Sequence, residues 1–68
     1  MEIKFNKKLY PESAIKLAIE AYAALAEFAL VPDEKYFLVS LKNIDPEIES
    51  IIIDEFSNYV LSQVKYAD

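Results

Sequence analysis

The sequence contains no cysteine, no histidine, no arginine and no glycine. Each absence removes a class of chemistry. Without cysteine there is no disulfide, and without cysteine and histidine a zinc staple loses its usual ligands. General acid–base work would fall to Asp, Glu, Lys and Tyr alone. Without arginine, bidentate clamps on phosphate or carboxylate are lost. Without glycine, neither the P-loop nor the dinucleotide-binding loop can be built, and turns must rely on Pro, Asp and Asn. Long apolar runs are missing too: none approaches the ~20 residues that span a bilayer. Met1 to Leu9 alternates polar and apolar residues and lacks the apolar segment of a signal peptide. The expectation is a cytoplasmic chain off the membrane, with no metal and no cofactor.

What is present is short, apolar and acidic. At 68 residues the chain has room for one domain, residues 1–68. A fold of this size buries only about 60% of the surface its unfolded chain exposes. Such domains need disulfides, a metal, self-association or an unusually apolar core. With the first two excluded, the 54% apolar content favours the last two. The net charge of −5 argues against a nucleic-acid partner, which would call for a basic face. The charge is uneven. Residues 1–16 carry Lys4, Lys7, Lys8 and Lys16 against Glu2 and Glu12, while the rest holds most of the acids. Solvated strand and helix edges explain this distribution better than a phosphate site.

Periodicity divides the chain into four elements. In residues 2–9, Ile3, Phe5 and Leu9 fall on one face and Glu2, Lys4, Asn6 and Lys8 on the other, which reads as a half-exposed strand. Pro11 suits the first position of a helix, Glu12 suits its positive end, and an alanine-rich stretch then runs without a breaker to about Leu30. On that helix Ile15, Ala18, Ile19, Tyr22, Leu25, Ala26 and Ala29 form one stripe. Ala14, Leu17, Ala21, Ala24 and Phe28 form a second beside it. So wide a dry arc implies packing from more than one side. Val31-Pro32-Asp33-Glu34-Lys35 reads as a turn, and residues 36–41 as a more central strand whose faces are both partly buried. Asp45 and Pro46 are a good N-cap and first position for a second helix reaching about Lys65. Ile48, Ile51, Ile52, Phe56, Tyr59, Val60 and Val64 line its core face.

Strand, helix and strand compose a βαβ unit with parallel strands. The expected fold is α+β or α/β: a two-layer β-α-β-α sandwich, two long helices on one face of a small sheet. Two strands alone are not independently stable and leave open edges. Dimerisation across a twofold axis would complete the sheet, with contact through the second helix stripe as another route.

Candidate sites are few. Asp54 and Glu55 point about 100° apart on a helix and cannot share a proton. Glu12, Lys16 and Glu20 are ordinary helix ion-pair spacing. The five tyrosines fit core edges and interfaces better than base stacking. The serines have no histidine to activate them. Asn58, between Phe56 and Tyr59, reads as an amide near the core that must find partners, structural before recognition. The candidate interaction residues are Lys4, Lys8, Leu17, Ala21, Ala24, Phe28 and Asn58.

Two stretches carry a family resemblance. Leu9-Tyr10-Pro11-Glu12-Ser13-Ala14-Ile15, with Ala18 and Tyr22, and Glu55-Phe56-Ser57-Asn58-Tyr59-Val60-Leu61-Ser62-Gln63 resemble two patterns of one family. That family is the small D component of the His-Xaa-Ser peptide-maturation system (HxsD). The resemblance implies a non-catalytic accessory or peptide-presenting protein beside a radical enzyme that modifies a peptide. From the residues themselves, the leading expectation is a non-enzymatic, homodimeric module for a protein or peptide partner. It would use strand addition at residues 2–9, whose lysines suit an acidic peptide. The alternatives are a small-ligand regulatory domain with a pocket at the dimer seam near Tyr22 and Tyr36, and, least favoured, an enzyme.

Overall fold

Strand β1 (Glu2–Asn6) follows the alternation of its sequence, with Phe5 buried, Ile3 half-buried, and Glu2 and Lys4 exposed, but it stops short of the expected residue 9: residues 7–9 form a turn and Leu9 is exposed. The computed structural model describes residues 1–64. The chain is α+β: after β1 come helix α1 (Glu12–Tyr22), strands β2 (Glu27–Pro32) and β3 (Tyr36–Lys42), and helix α2 (Ile52–Gln63). The sheet order is β1-β3-β2, with both outer strands antiparallel to β3.

This order corrects the β-α-β-α reading. The expected first helix stops at Tyr22, and residues 27–30 of its second half, with Val31 and Pro32 of the expected turn, form β2. Alanine propensity is a weak prior that tertiary context overrides. Here the override comes from the hairpin that β2 and β3 close around residues 33–35, where the Asp33 N–H donates to the Tyr36 carbonyl at 2.7 Å. Within β2, Phe28 and Leu30 are half-buried while Glu27, Ala29 and Val31 are exposed, a period of two. The two strands expected to run parallel are instead direct antiparallel neighbours, Ile3 opposite Val39 and Phe5 opposite Phe37. β3 is central, as its sequence indicates.

Helix α2 also starts late. Asp45 does behave as a cap, its Oδ1 accepting from the Glu47 N–H at 2.9 Å. Residues 46–51, however, form successive turns. The Ile48 N–H donates to the Asp45 carbonyl and the Ile51 N–H to the Ile48 carbonyl, and regular helix begins at Ile52. Isoleucine and serine, abundant here, resist helix more than alanine or leucine do. Lys65, the expected end of this helix, and Tyr66 lie outside the described residues.

One apolar cluster draws on the sheet and on both helices. Phe5, Val39 and Leu41 from the sheet meet Ala14, Ile15 and Ala18 of α1 and Ile52, Phe56 and Val60 of α2. Phe56 is the hub. Its ring stacks on Phe28 at 4.9 Å, meets Tyr22 edge-on at 5.9 Å and lies 6.2 Å from Phe5. Among the described residues no polar or charged side chain is buried, so shape alone sets the packing. Since no glycine is available, Asn43 supplies the left-handed backbone, φ 52°, that turns the chain out of β3.

Phe56→Ala removes the ring that joins both helices to the sheet. Loss of a buried phenylalanine costs about 3–5 kcal/mol, so urea denaturation monitored by circular dichroism is expected to show this variant largely unfolded. Asn43→Gly is expected to melt within a few degrees of the parent or above it, and Asn43→Val well below, because a β-branched residue is costly in the left-handed region.

Candidate functional site

Among the described residues nothing pairs with the far sides of the two outer strands, and the ladder geometry says which backbone groups face out. In an antiparallel pair, residues alternate between exchanging both hydrogen bonds and exchanging none. The Leu41 N–H donates to the Met1 carbonyl at 2.8 Å and the Met1 amine to the Leu41 carbonyl at 3.2 Å; further along, the Lys7 N–H donates to the Lys35 carbonyl at 3.1 Å. Odd-numbered residues of β1 therefore bond β3. The N–H and C=O of Glu2 and Lys4, and the N–H of Asn6, point away from the sheet. The Asn6 carbonyl is occupied, accepting from the Leu9 and Tyr10 N–H groups. On the other flank, the Asp33 to Tyr36 bond fixes the phase so that the backbone groups of Phe28 and Leu30 point away from β3, while their side chains turn to the core. Pro32 follows them and has no N–H to offer, which blunts that edge.

The sheet surface away from the core carries Glu2, Lys4 and Asn6 of β1, Tyr36, Leu38, Ser40 and Lys42 of β3, and Glu27, Ala29 and Val31 of β2. Val31 is 55% exposed and Tyr36 37%. The Lys4 ammonium sits 5.8 Å from the centre of the Tyr36 ring, a cation–π contact across the two strands. At one end of the sheet, Lys7, Lys8 and Lys35 gather with Glu34 around a hollow of about 260 Å³. The Lys7 ammonium lies 5.2 Å over the Phe37 ring, and the Lys8 N–H donates to Asn6 Oδ1 at 2.8 Å. A cationic corner is thus set on a chain whose overall charge is negative.

A second, apolar hollow of about 220 Å³ lies between the helices, lined by Tyr22, Leu25, Ile48, Ile51, Ile52 and Glu55. It is smaller than the ~300 Å³ at which drug-sized ligand sites begin. At its rim the Tyr22 hydroxyl donates to the Glu55 carbonyl at 3.3 Å. Its pKa is raised above 10.0, first by partial burial, then by the Glu55 carboxylate and by Tyr59.

The sequence-derived candidates do not converge on one face. Lys4 and Lys8 mark the open edge and the cationic corner. Leu17, 41% exposed, and Ala21, exposed, stay on α1. Ala24 falls in the turn after it, and Phe28 lies half-buried in β2 against Phe56. The stripe Leu17, Ala21, Ala24, Phe28 is therefore not a helix flank, because the helix ends before it is complete. Asn58, expected near the core, is exposed on α2. Tyr22 and Tyr36 lie on opposite sides of the sheet and share no pocket. Lys35 joining Lys7 and Lys8 was not anticipated. Its signal was the β2–β3 hairpin, which brings residues 33–35 beside the end of β1. Searches of family models, curated proteins and solved structures return no match to this chain.

Tyr22 supplies a test of the inter-helix contact. Its raised pKa means the folded state holds the phenolic proton more tightly than the unfolded chain does. The corresponding stability is fully present below pH 10.0 and is lost as pH rises through the higher folded-state value. In an ultraviolet phenolate titration Tyr22 is expected to ionise late. Tyr22→Phe is expected to remove that late component and to flatten the alkaline fall in stability.

Proposed function

We propose that this chain is a non-enzymatic interaction module that acts as a cytoplasmic homodimer and engages protein or peptide by strand addition. The architecture proposed is a two-layer one, helices over one face of the sheet, with a second copy completing it. The observation that carries the reading is the β1 edge. Glu2 and Lys4 hold outward N–H and C=O groups that no described residue pairs. An edge of this kind is a template for another strand. Solvent satisfies it in the free chain, and a partner strand satisfies it while adding side-chain contacts.

The accessory role implied by the resemblance to the His-Xaa-Ser maturation component fits this mode, because strand addition is one way to hold an extended peptide in a fixed register. Tyr22 and Tyr36 lie on opposite sides of the sheet, which favours strand addition over the small-ligand alternative at a seam near both.

Sedimentation equilibrium tests the homodimer. A dimer is expected. A chain still monomeric at about 1 mM, where even 4 kcal/mol of association would show, overturns it. Hydrogen exchange tests the edge: the Glu2 and Lys4 amides are expected to exchange fast in dilute solution and to slow on association, while the Ile3 and Phe5 amides stay protected throughout. Fast exchange at Glu2 and Lys4 in the associated state would remove strand addition at β1.

A further inference from the structure

We infer that the occupant of the β1 edge is the β1 strand of a second copy, antiparallel, with Ile3 on the twofold axis. The inference rests on the interaction-module reading and names its partner: the second copy takes the edge that a peptide strand would otherwise use. The residues whose backbone faces outward are Glu2, Lys4 and Asn6, so new hydrogen-bonded pairs must join even-numbered residues of the two copies. Symmetric pairing then allows few registers. Centring on Glu2 sets two carboxylates opposite each other, and centring on Lys4 sets two ammonium groups opposite each other. Like charges directly opposed are destabilising. Centring on Ile3 sets Glu2 against the partner's Lys4 and Lys4 against the partner's Glu2. It also overlaps Met1 through Phe5 almost fully. Centring on Phe5 keeps only the pairing of Lys4 with Asn6, and the Asn6 carbonyl is already taken by Leu9 and Tyr10.

The same geometry keeps the layers in order. Paired residues of antiparallel strands project to the same side, so Ile3 and its symmetry mate both face the helix side. Each copy contributes the order β1-β3-β2, and joining at β1 makes one continuous sheet with all helices on one side. The β2 edge is a poorer seam: its outward residues, Phe28 and Leu30, carry no charge to fix a register, and Pro32 terminates its donors.

The test uses the full chain. Its lack of cysteine makes a single introduced thiol a clean reporter. Ile3→Cys is expected to form an intermolecular disulfide under mild oxidation, because a residue on the axis of a non-hydrogen-bonded pair meets itself at about 4.5 Å between Cα atoms, within disulfide reach. Ala29→Cys, at the centre of the β2 edge, is expected to stay reduced. Because Ile3 is partly buried, exposed charge variants give a second readout. Glu2→Lys and Lys4→Glu are each expected to weaken the dimer about tenfold or more by sedimentation, and the double swap to restore it to within about threefold. A dimer that ignores both reversals and links through Ala29→Cys overturns this register while leaving the module reading intact. A strict monomer whose Glu2 and Lys4 amides become protected by a Glu-rich strand peptide overturns the second copy as occupant and keeps strand addition. A strict monomer that binds no such peptide overturns both.

Discussion

The structure depends on one contact, the burial of Phe56 against the inner face of the sheet. A small sheet has no stability of its own and needs a layer on one face. Here side chains of α1 and α2 join those of the sheet in one apolar cluster. Phe56 ties it together, touching Phe28 from one outer strand, Phe5 from the other and Tyr22 from α1. Val39 and Leu41 of the central strand complete the floor beneath the helices. The radius of gyration, 11.3 Å, is close to the roughly 11 Å expected of a folded chain of this length. A single copy therefore encloses an apolar core.

The way it does so changes the argument for self-association. If residues 11–30 were one helix, its two apolar stripes would exceed what one sheet could cover, and a second molecule would be needed to cover the remainder. The chain solves that problem internally. It breaks the helix at Tyr22 and turns the remaining apolar residues into β2, where Phe28 and Leu30 face the core. Of the large apolar side chains left outside, Leu9, Leu17, Ile51 and Leu61 are spread over turns and helices, while Val31 and Tyr36 share the outer face of the sheet. Scattered apolar exposure of that kind is ordinary for a monomer. The case for a partner moves from greasy helix surface to unpaired backbone, and from α1 to β1.

What was legible in the sequence follows from the strength of its alternation. β1 could be read because charged residues stand at Glu2 and Lys4 between apolar ones, and β3 because Tyr36 to Leu41 is rich in β-formers. β2 could not, because its outward positions include Ala29 and Val31. Alanine marks neither face of a strand and is the best of helix formers. A period of two written partly in alanine looks like the continuation of a helix. The error spread to the candidate site. Leu17, Ala21, Ala24 and Phe28 are neighbours only on a helix that does not exist over that range, and the pairing of Tyr22 with Tyr36 presumed the same topology. Lys4 stands on β1, and Lys8 lies in the turn that follows it.

The missing glycines bear on both stability and recognition. Glycine loses more conformational freedom on folding than any other residue, so a chain without it orders at lower entropic cost. The turns are then shaped by side chains. Asn6 accepts from the Lys8 N–H, Asp45 accepts from the Glu47 N–H, and Asn43 takes the left-handed conformation. Asn6 is where these local bonds meet the open edge. Its side chain and its carbonyl are both used to turn the chain toward α1, which ends the free stretch of β1 after Lys4. The edge thus offers two full residues, Glu2 and Lys4, of opposite charge. So short an edge binds a strand weakly by hydrogen bonds alone, and its charges must supply the choice of register. A strand that presents a lysine and a glutamate two residues apart, antiparallel, answers that demand, and β1 itself is such a strand.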